Sequence, residues 1–270
     1  MSTVEPASAA VTPPGRRRVR APVVWAGLLT VAAVAWAITI QQSRDMGVSA
    51  GTMGLALGSF LVLWTVMMAA MMLPSVAPVA SLYLRSVRAD AVGAVRTLRV
   101  SELVGGYLVA WAAFGVLAYL LALGLERVID AHPTWAGWIG AVLLGMAGVY
   151  QLTPLKERCL RHCRSPLGFL MHFANYKGRL KDLRVGAYHG VYCVGCCWGL
   201  MVVLVAVGVM NLAWMAGLAA VIFIEKVWTH GKGFGVAFGV ALMVLAVLVP
   251  SHPGWVPWLQ PSGDMMPMGM

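Results

Sequence analysis

The chain has 270 residues, of which about 60% are hydrophobic and about 11% charged, and its formal net charge is +10. A soluble globular domain carries charge at about a quarter of its positions, so this composition excludes that class and points to a membrane. The positive charge is split among short segments between apolar runs, which describes topology and argues against nucleic-acid binding.

In chain order, residues 1–21 are rich in Ala, Pro, Ser and Thr and hold Arg16, Arg17, Arg18 and Arg20, which predicts a disordered basic cytoplasmic arm. Seven apolar runs follow, at 22–40, 55–80, 103–125, 135–153, 186–209, 211–229 and 234–250. Each approaches the about 20 residues a helix needs to cross about 30 Å of hydrocarbon. The alternation of a barrel strand is absent, so the expected fold is all-α: a polytopic transmembrane helix bundle over residues 22–250. The first run lacks a small-residue cleavage site before Gln41 and reads as an uncleaved anchor. Residues 251–270 form the remaining piece, a Met-rich tail with Met265, Met266, Met268 and Met270.

Basic residues orient the bundle. Arg85, Arg88, Arg96 and Arg99 lie between the second and third runs, eight more lie between Lys156 and Arg184, and Lys226 and Lys232 lie between the sixth and seventh. Together with the N-terminal arginines these make eighteen of the twenty; only Arg44 and Arg127 fall in the alternate loops. The positive-inside rule then places the N-terminus in the cytoplasm and the C-terminus outside, as in a multi-pass protein of a bacterial inner membrane.

Sulfur is concentrated inside this apolar frame. In "HGVYCVGCCWGLM" the residues His189, Cys193, Cys197 and Met201 form a row of four-residue steps along a helix, with Cys196 beside them. The row drifts by about 40° per step, so only two or three members can share one ion. The second run holds the pairs Met67 with Met71 and Met68 with Met72, and ends at Pro74 and Pro78. Met210 and Met215 stand at the turn between the fifth and sixth runs, and "CLRHC" sets Cys159 and Cys163 one helical turn apart on the cytoplasmic side. Thioether and thiolate are soft ligands that select Cu(I) over hard cations. Methionine outside and cysteine inside is the distribution a Cu(I) path would take, because thioethers form no disulfides in an oxidising compartment. Methionine is also a common gap filler in apolar cores, and packing is the competing reading for these pairs. For the charged pair closing the sixth run, Lys226 is expected to snorkel towards the interface, and Glu225 to pair with it or with Lys156.

The segments "MMAAMMLP", "YQLTPLKERCLRHCRSPLGF", "HGVYCVGCCWGLM", "GVMNLAWM" and "EK" resemble a bacterial family of predicted metal-binding integral membrane proteins, some described as copper chaperones. The resemblance covers about residues 60–230. It implies copper handling in a membrane and a ligand role for Cys159, Cys163, Cys193, Cys197, Met201, Met210 and Met215. The expected function is therefore Cu(I) binding and transfer by ligand exchange along Met and Cys, with a copper donor or acceptor protein as partner. No P-loop or pump phosphorylation site is apparent, so active pumping by this chain is not expected, and passive conduction or handoff to a partner remains. Two other classes compete. Cys193 and Cys196 form a CxxC that could act as a membrane thiol-disulfide oxidoreductase, with Cys159 and Cys163 as a second pair. A haem or quinone protein would have to draw on His132, His162, His172, His189, His230 and His252, and ranks last because no two of them face each other at matching depth.

Overall fold

A computed structural model of the chain describes residues 21–46, 52–86, 94–164, 178 and 180–251. Among them all regular structure is helical. Eight α-helices follow in order: α1 (Ala21–Met46), α2 (Leu57–Ser86), α3 (Ala94–Ala131), α4 (Ala136–Leu152), α5 (Pro154–Arg164), α6 (Lys181–Ala206), α7 (Leu212–Val227) and α8 (Gly231–Leu248). The N-terminal arm and the terminal methionines lie outside the described residues.

Six helices are long and apolar enough to cross a membrane: α1, α2, α3, α4 together with the 3-10 turn before it, α6 and α8. The expected span at 211–229 folds as α7, but its 16 residues rise only about 24 Å and it is not one of the six. Asn211 starts it sharply, its side chain accepting a hydrogen bond from the Trp214 backbone at 3.2 Å. The turn before it needs the left-handed backbone of Gly208 (φ 94°).

The prolines of α2 do not end it. The helix runs through Pro74 and Pro78 to Ser86, because the segment is walled in by other helices that fix its course. Here Ser75 and Ser81 donate to the carbonyls of Met72 and Pro78, each at 2.8 Å. α2 and α6 are the most deeply enclosed spans and form the centre of the bundle, while α1, α3 and α8 present much of their surface outwards. Valines and leucines such as Val34, Val109, Leu117 and Val247 are exposed there, as expected where the surrounding solvent is hydrocarbon.

α3 and α6 approach most closely where Gly106 meets the Leu183 carbonyl and Gly186 meets that of Leu103; a Cβ at either glycine would run into the opposing backbone. This is small-residue packing of the kind that drives helix association in lipid. α4 and α8 repeat it at Gly148 and Gly239, where an added Cβ would lie 2.8 and 3.1 Å from the opposite carbonyl oxygen.

The helices differ in reach. The Tyr150 hydroxyl, one turn from the end of α4, donates to the Gly195 carbonyl at the middle of α6. Lys226, at the end of α7, meets Cys193 on the same level. The first half of α6, from Lys181 to Tyr192, continues for about 18 Å past these ends. It is accompanied by the end of α2, through the Tyr83–Asp182 hydrogen bond, and by the start of α3, through Gly106. The thiols of α6 therefore sit at a step, where the short helices stop and the long ones go on.

Candidate metal centre

Cys193, Cys196 and Cys197 occupy positions i, i+3 and i+4 of α6, so their side chains leave the helix within a sector of about 100°. All three are buried, and their sulfurs lie within 4.8 Å of one another. Cys196 and Cys197 Sγ are 3.3 Å apart, and the Cys196 thiol also donates to the Cys193 carbonyl at 3.1 Å. Thiolates about 2.3 Å from one metal ion lie about 4 Å from each other, so this spacing suits a shared soft cation.

A fourth thiol arrives from α5. Thr153 ends α4 and caps α5, accepting from the Lys156 backbone at 3.3 Å, and Pro154 takes the first helical position where its missing N–H is not needed. The resulting elbow folds α5 across α6, with Leu160 and Cys163 facing in. Cys163 Sγ comes to 3.8 Å from Cys196 Sγ. Cys159, one turn earlier and half-buried, lies over Gly195; a Cβ on that glycine would come within 2.9 Å of its sulfur. Burial pushes the Cys159 thiol above its ordinary range. On the outer edge of α5, the Lys232 ammonium bonded at 2.8 Å holds the Glu157 carboxyl below the usual carboxylate range. The five cysteines thus form a ladder from a half-buried rung, Cys159, through Cys163 to the buried trio.

Of the charged pair closing α7, Glu225 meets the expectation by pairing with Lys156, and Lys226 departs from it. Lys226 does not snorkel. It is only 9% exposed, and its ammonium donates to Cys193 Sγ at 2.9 Å and to Ser75 Oγ at 3.2 Å. Glu225 points elsewhere, accepting at one oxygen from Lys156 at 2.6 Å and from Gln151 at 2.9 Å. Adjacent helical positions diverge by about 100°, so the pair faces two different neighbours. The Tyr107 hydroxyl of α3 completes the surroundings of Cys193, 2.9 Å from its sulfur. Lys226, Ser75 and Tyr107 carry no metal-ligand signature, and sequence reading had no means of assigning them to the site.

His189 lies one turn before Cys193, buried, with its ring stacked on Tyr107 at 5.9 Å between centroids. Met67, Met68, Met71 and Met72 of α2 are buried in the central core, as are Met201 of α6 and Met210 and Met215 at the α6–α7 junction. Met72 is linked to the thiols through Ser75, which donates to the Met72 carbonyl and accepts from Lys226. The group of potential metal ligands that converges among the described residues is the cysteine trio.

The fold and the site define a class: an all-helical bundle, rich in helices able to cross a membrane, built around an enclosed set of thiols suited to a soft metal ion. The match to the family model PpoB2, copper chaperone, extends over residues 61–249, more than two thirds of the chain, and the chain belongs to that family. No curated protein and no solved structure matches it.

Proposed function

We propose that this is a multi-pass protein of the bacterial inner membrane that binds Cu(I) on Cys193, Cys196 and Cys197 and passes it by ligand exchange through Cys163 and Cys159 to or from a partner protein. The observation that carries this reading is the buried trio of sulfurs within 4.8 Å of one another, with a fourth thiol at 3.8 Å. Exchange between neighbouring thiols needs a new sulfur within reach before the old one lets go; Cys163 meets that need beside the trio, and Cys159, one helical turn from Cys163, is the proposed outer rung. Copper is cargo here, and the chain contributes the donors. Soft sulfur favours Cu(I) over hard cations, and an interior closed to water protects the reduced ion from oxidation.

Met201, two turns after Cys193 on α6, and the buried Met67, Met68, Met71 and Met72 of α2, then Met210 and Met215, are the proposed thioethers of a continued path. His189 is a candidate auxiliary donor beside Cys193. The terminal methionines, Met265 to Met270, are proposed as an external capture segment, with residues 1–21 as a cytoplasmic arm and 22–250 as the membrane domain.

The test is the metal content of the purified protein under reducing conditions, beside a sample carrying Cys193→Ser and Cys197→Ser. Stoichiometric copper in the first and its loss in the second is the expected result. No metal in either, together with a Cys193–Cys196 disulfide found by mass spectrometry under non-reducing conditions, would replace the copper reading with the thiol-disulfide one.

A further inference from the structure

The surroundings of Lys226 raise a question of charge. A buried ammonium requires an anionic or strongly polar partner. Among the described residues the ion pairs are Arg99–Asp182, Lys156–Glu225, Arg161–Glu157 and Lys232–Glu157. None includes Lys226, and the neighbouring carboxylate, Glu225, is already held by Lys156 and Gln151. The contacts of the ammonium are the hydroxyl of Ser75 and the sulfur of Cys193. Its counter-charge is therefore the thiol cluster itself, and whatever charge the cluster holds after loading decides how well Lys226 is matched.

Resting on the reading of this cluster as a copper site, we propose that Lys226 is its specificity-determining residue: a fixed cation beside the sulfurs that favours a singly charged soft metal ion over a doubly charged one. On the same three thiolates, Cu(I) leaves two net negative charges and Zn(II) leaves one. The more anionic complex gains more from the adjacent ammonium, and in an interior shielded from water that gain is not screened away. Thiolates alone do not discriminate well between these ions, since both bind soft sulfur. Lys226 supplies the discrimination from a third helix without occupying a coordination position. Ser75 fixes the ammonium on the second side, and the prolines flanking that serine, Pro74 and Pro78, limit the conformations open to this stretch of α2.

The experiment measures Cu(I) and Zn(II) affinity by chelator competition under anaerobic conditions at one pH, for full-length wild-type protein, Lys226→Met, Lys226→Gln and Lys226→Arg. The Gln variant keeps a hydrogen-bond donor near Ser75 without the charge, and stands in if the Met variant does not fold. The metal-free state is common to both metals, so the expected result is a Cu(I)-to-Zn(II) affinity ratio reduced about 10-fold or more in the uncharged variants. Lys226→Arg should keep the wild-type ratio. Equal losses for both metals, or an unchanged ratio in the Met and Gln variants, would overturn the charge role while leaving the copper site intact. Failure of the wild-type protein to bind Cu(I) with its thiols reduced would overturn the copper reading and this inference with it.

Discussion

At the scale of single residues, the five cysteines differ in access, and access determines their chemistry. Cys193, Cys196, Cys197 and Cys163 are buried, whereas Cys159 is half-exposed. A brief treatment of the reduced, metal-free protein with a maleimide should label one thiol, and Cys159→Ser should abolish that label; denaturation should expose all five. Rapid labelling of two or more in the folded protein would contradict the enclosed cluster. The Tyr107 hydroxyl touches Cys193, so Tyr107→Phe should weaken metal retention by about 10-fold while costing about 1 kcal/mol of stability. A loss of stability with unchanged retention would confine Tyr107 to a packing role. The thiols themselves were legible in the sequence, because three of them in five helical positions are a local pattern. Lys226 was not. A lysine at the end of an apolar helix ordinarily reaches water, and this one fails to do so only because α7 ends halfway along α6, which no local pattern records.

Among the elements, α5 depends on one buried ion pair. Lys156 and Glu225 are 3% and 1% exposed, and their contact at 2.6 Å ties the α4–α5 elbow to the end of α7. Removing one member strands a charge in the interior, which costs about 3–5 kcal/mol. Lys156→Met should lower stability in detergent by that amount and speed the labelling of Cys163, since α5 is what covers the trio. A variant that melts like wild type with Cys163 still protected would show that the apolar face of α5 suffices. The crossing of α3 and α6 is equally exacting. Gly186→Val would force the backbones apart, and the expected outcome is loss of the folded protein in size-exclusion chromatography, beyond the about 1–3 kcal/mol of ordinary overpacking. The helices were readable from the apolar runs, yet two of their boundaries were not. α2 continues through its prolines because neighbouring helices hold its course, and α7 stops short of a full span, so tertiary packing sets both limits.

For the molecule as a whole, the distribution of basic residues predicts termini on opposite faces, and this depends on α7 counting as a crossing despite its 16 residues. Reporter fusions check it: an enzyme active only outside the cytoplasm should work when joined after residue 270, and one active only inside should work at the N-terminus. Activity of the same reporter at both ends would make the number of crossings even and leave α7 as a helix that returns within one leaflet. The overall class, a helical bundle with sulfur at its heart, followed from composition and spacing. The arrangement of the sulfur into a ladder did not, because it needs α5 to fold back across α6.

The step in the bundle also has a consequence for the lipid around it. α7 rises only about 24 Å, less than the about 30 Å of an average hydrocarbon core, whereas α3 reaches about 57 Å over its 38 residues. A bilayer meeting α7 would thin on that flank, and along α3 it has apolar surface to spare. The protein would thus be sensitive to acyl-chain length, with the energetic cost of mismatch falling on the side where the thiols lie nearest to the surface. In longer-chain lipids that flank is drawn deeper, and the outermost cysteine becomes harder for a water-soluble partner to reach. Membrane thickness would then act as a setting on the rate of metal exchange.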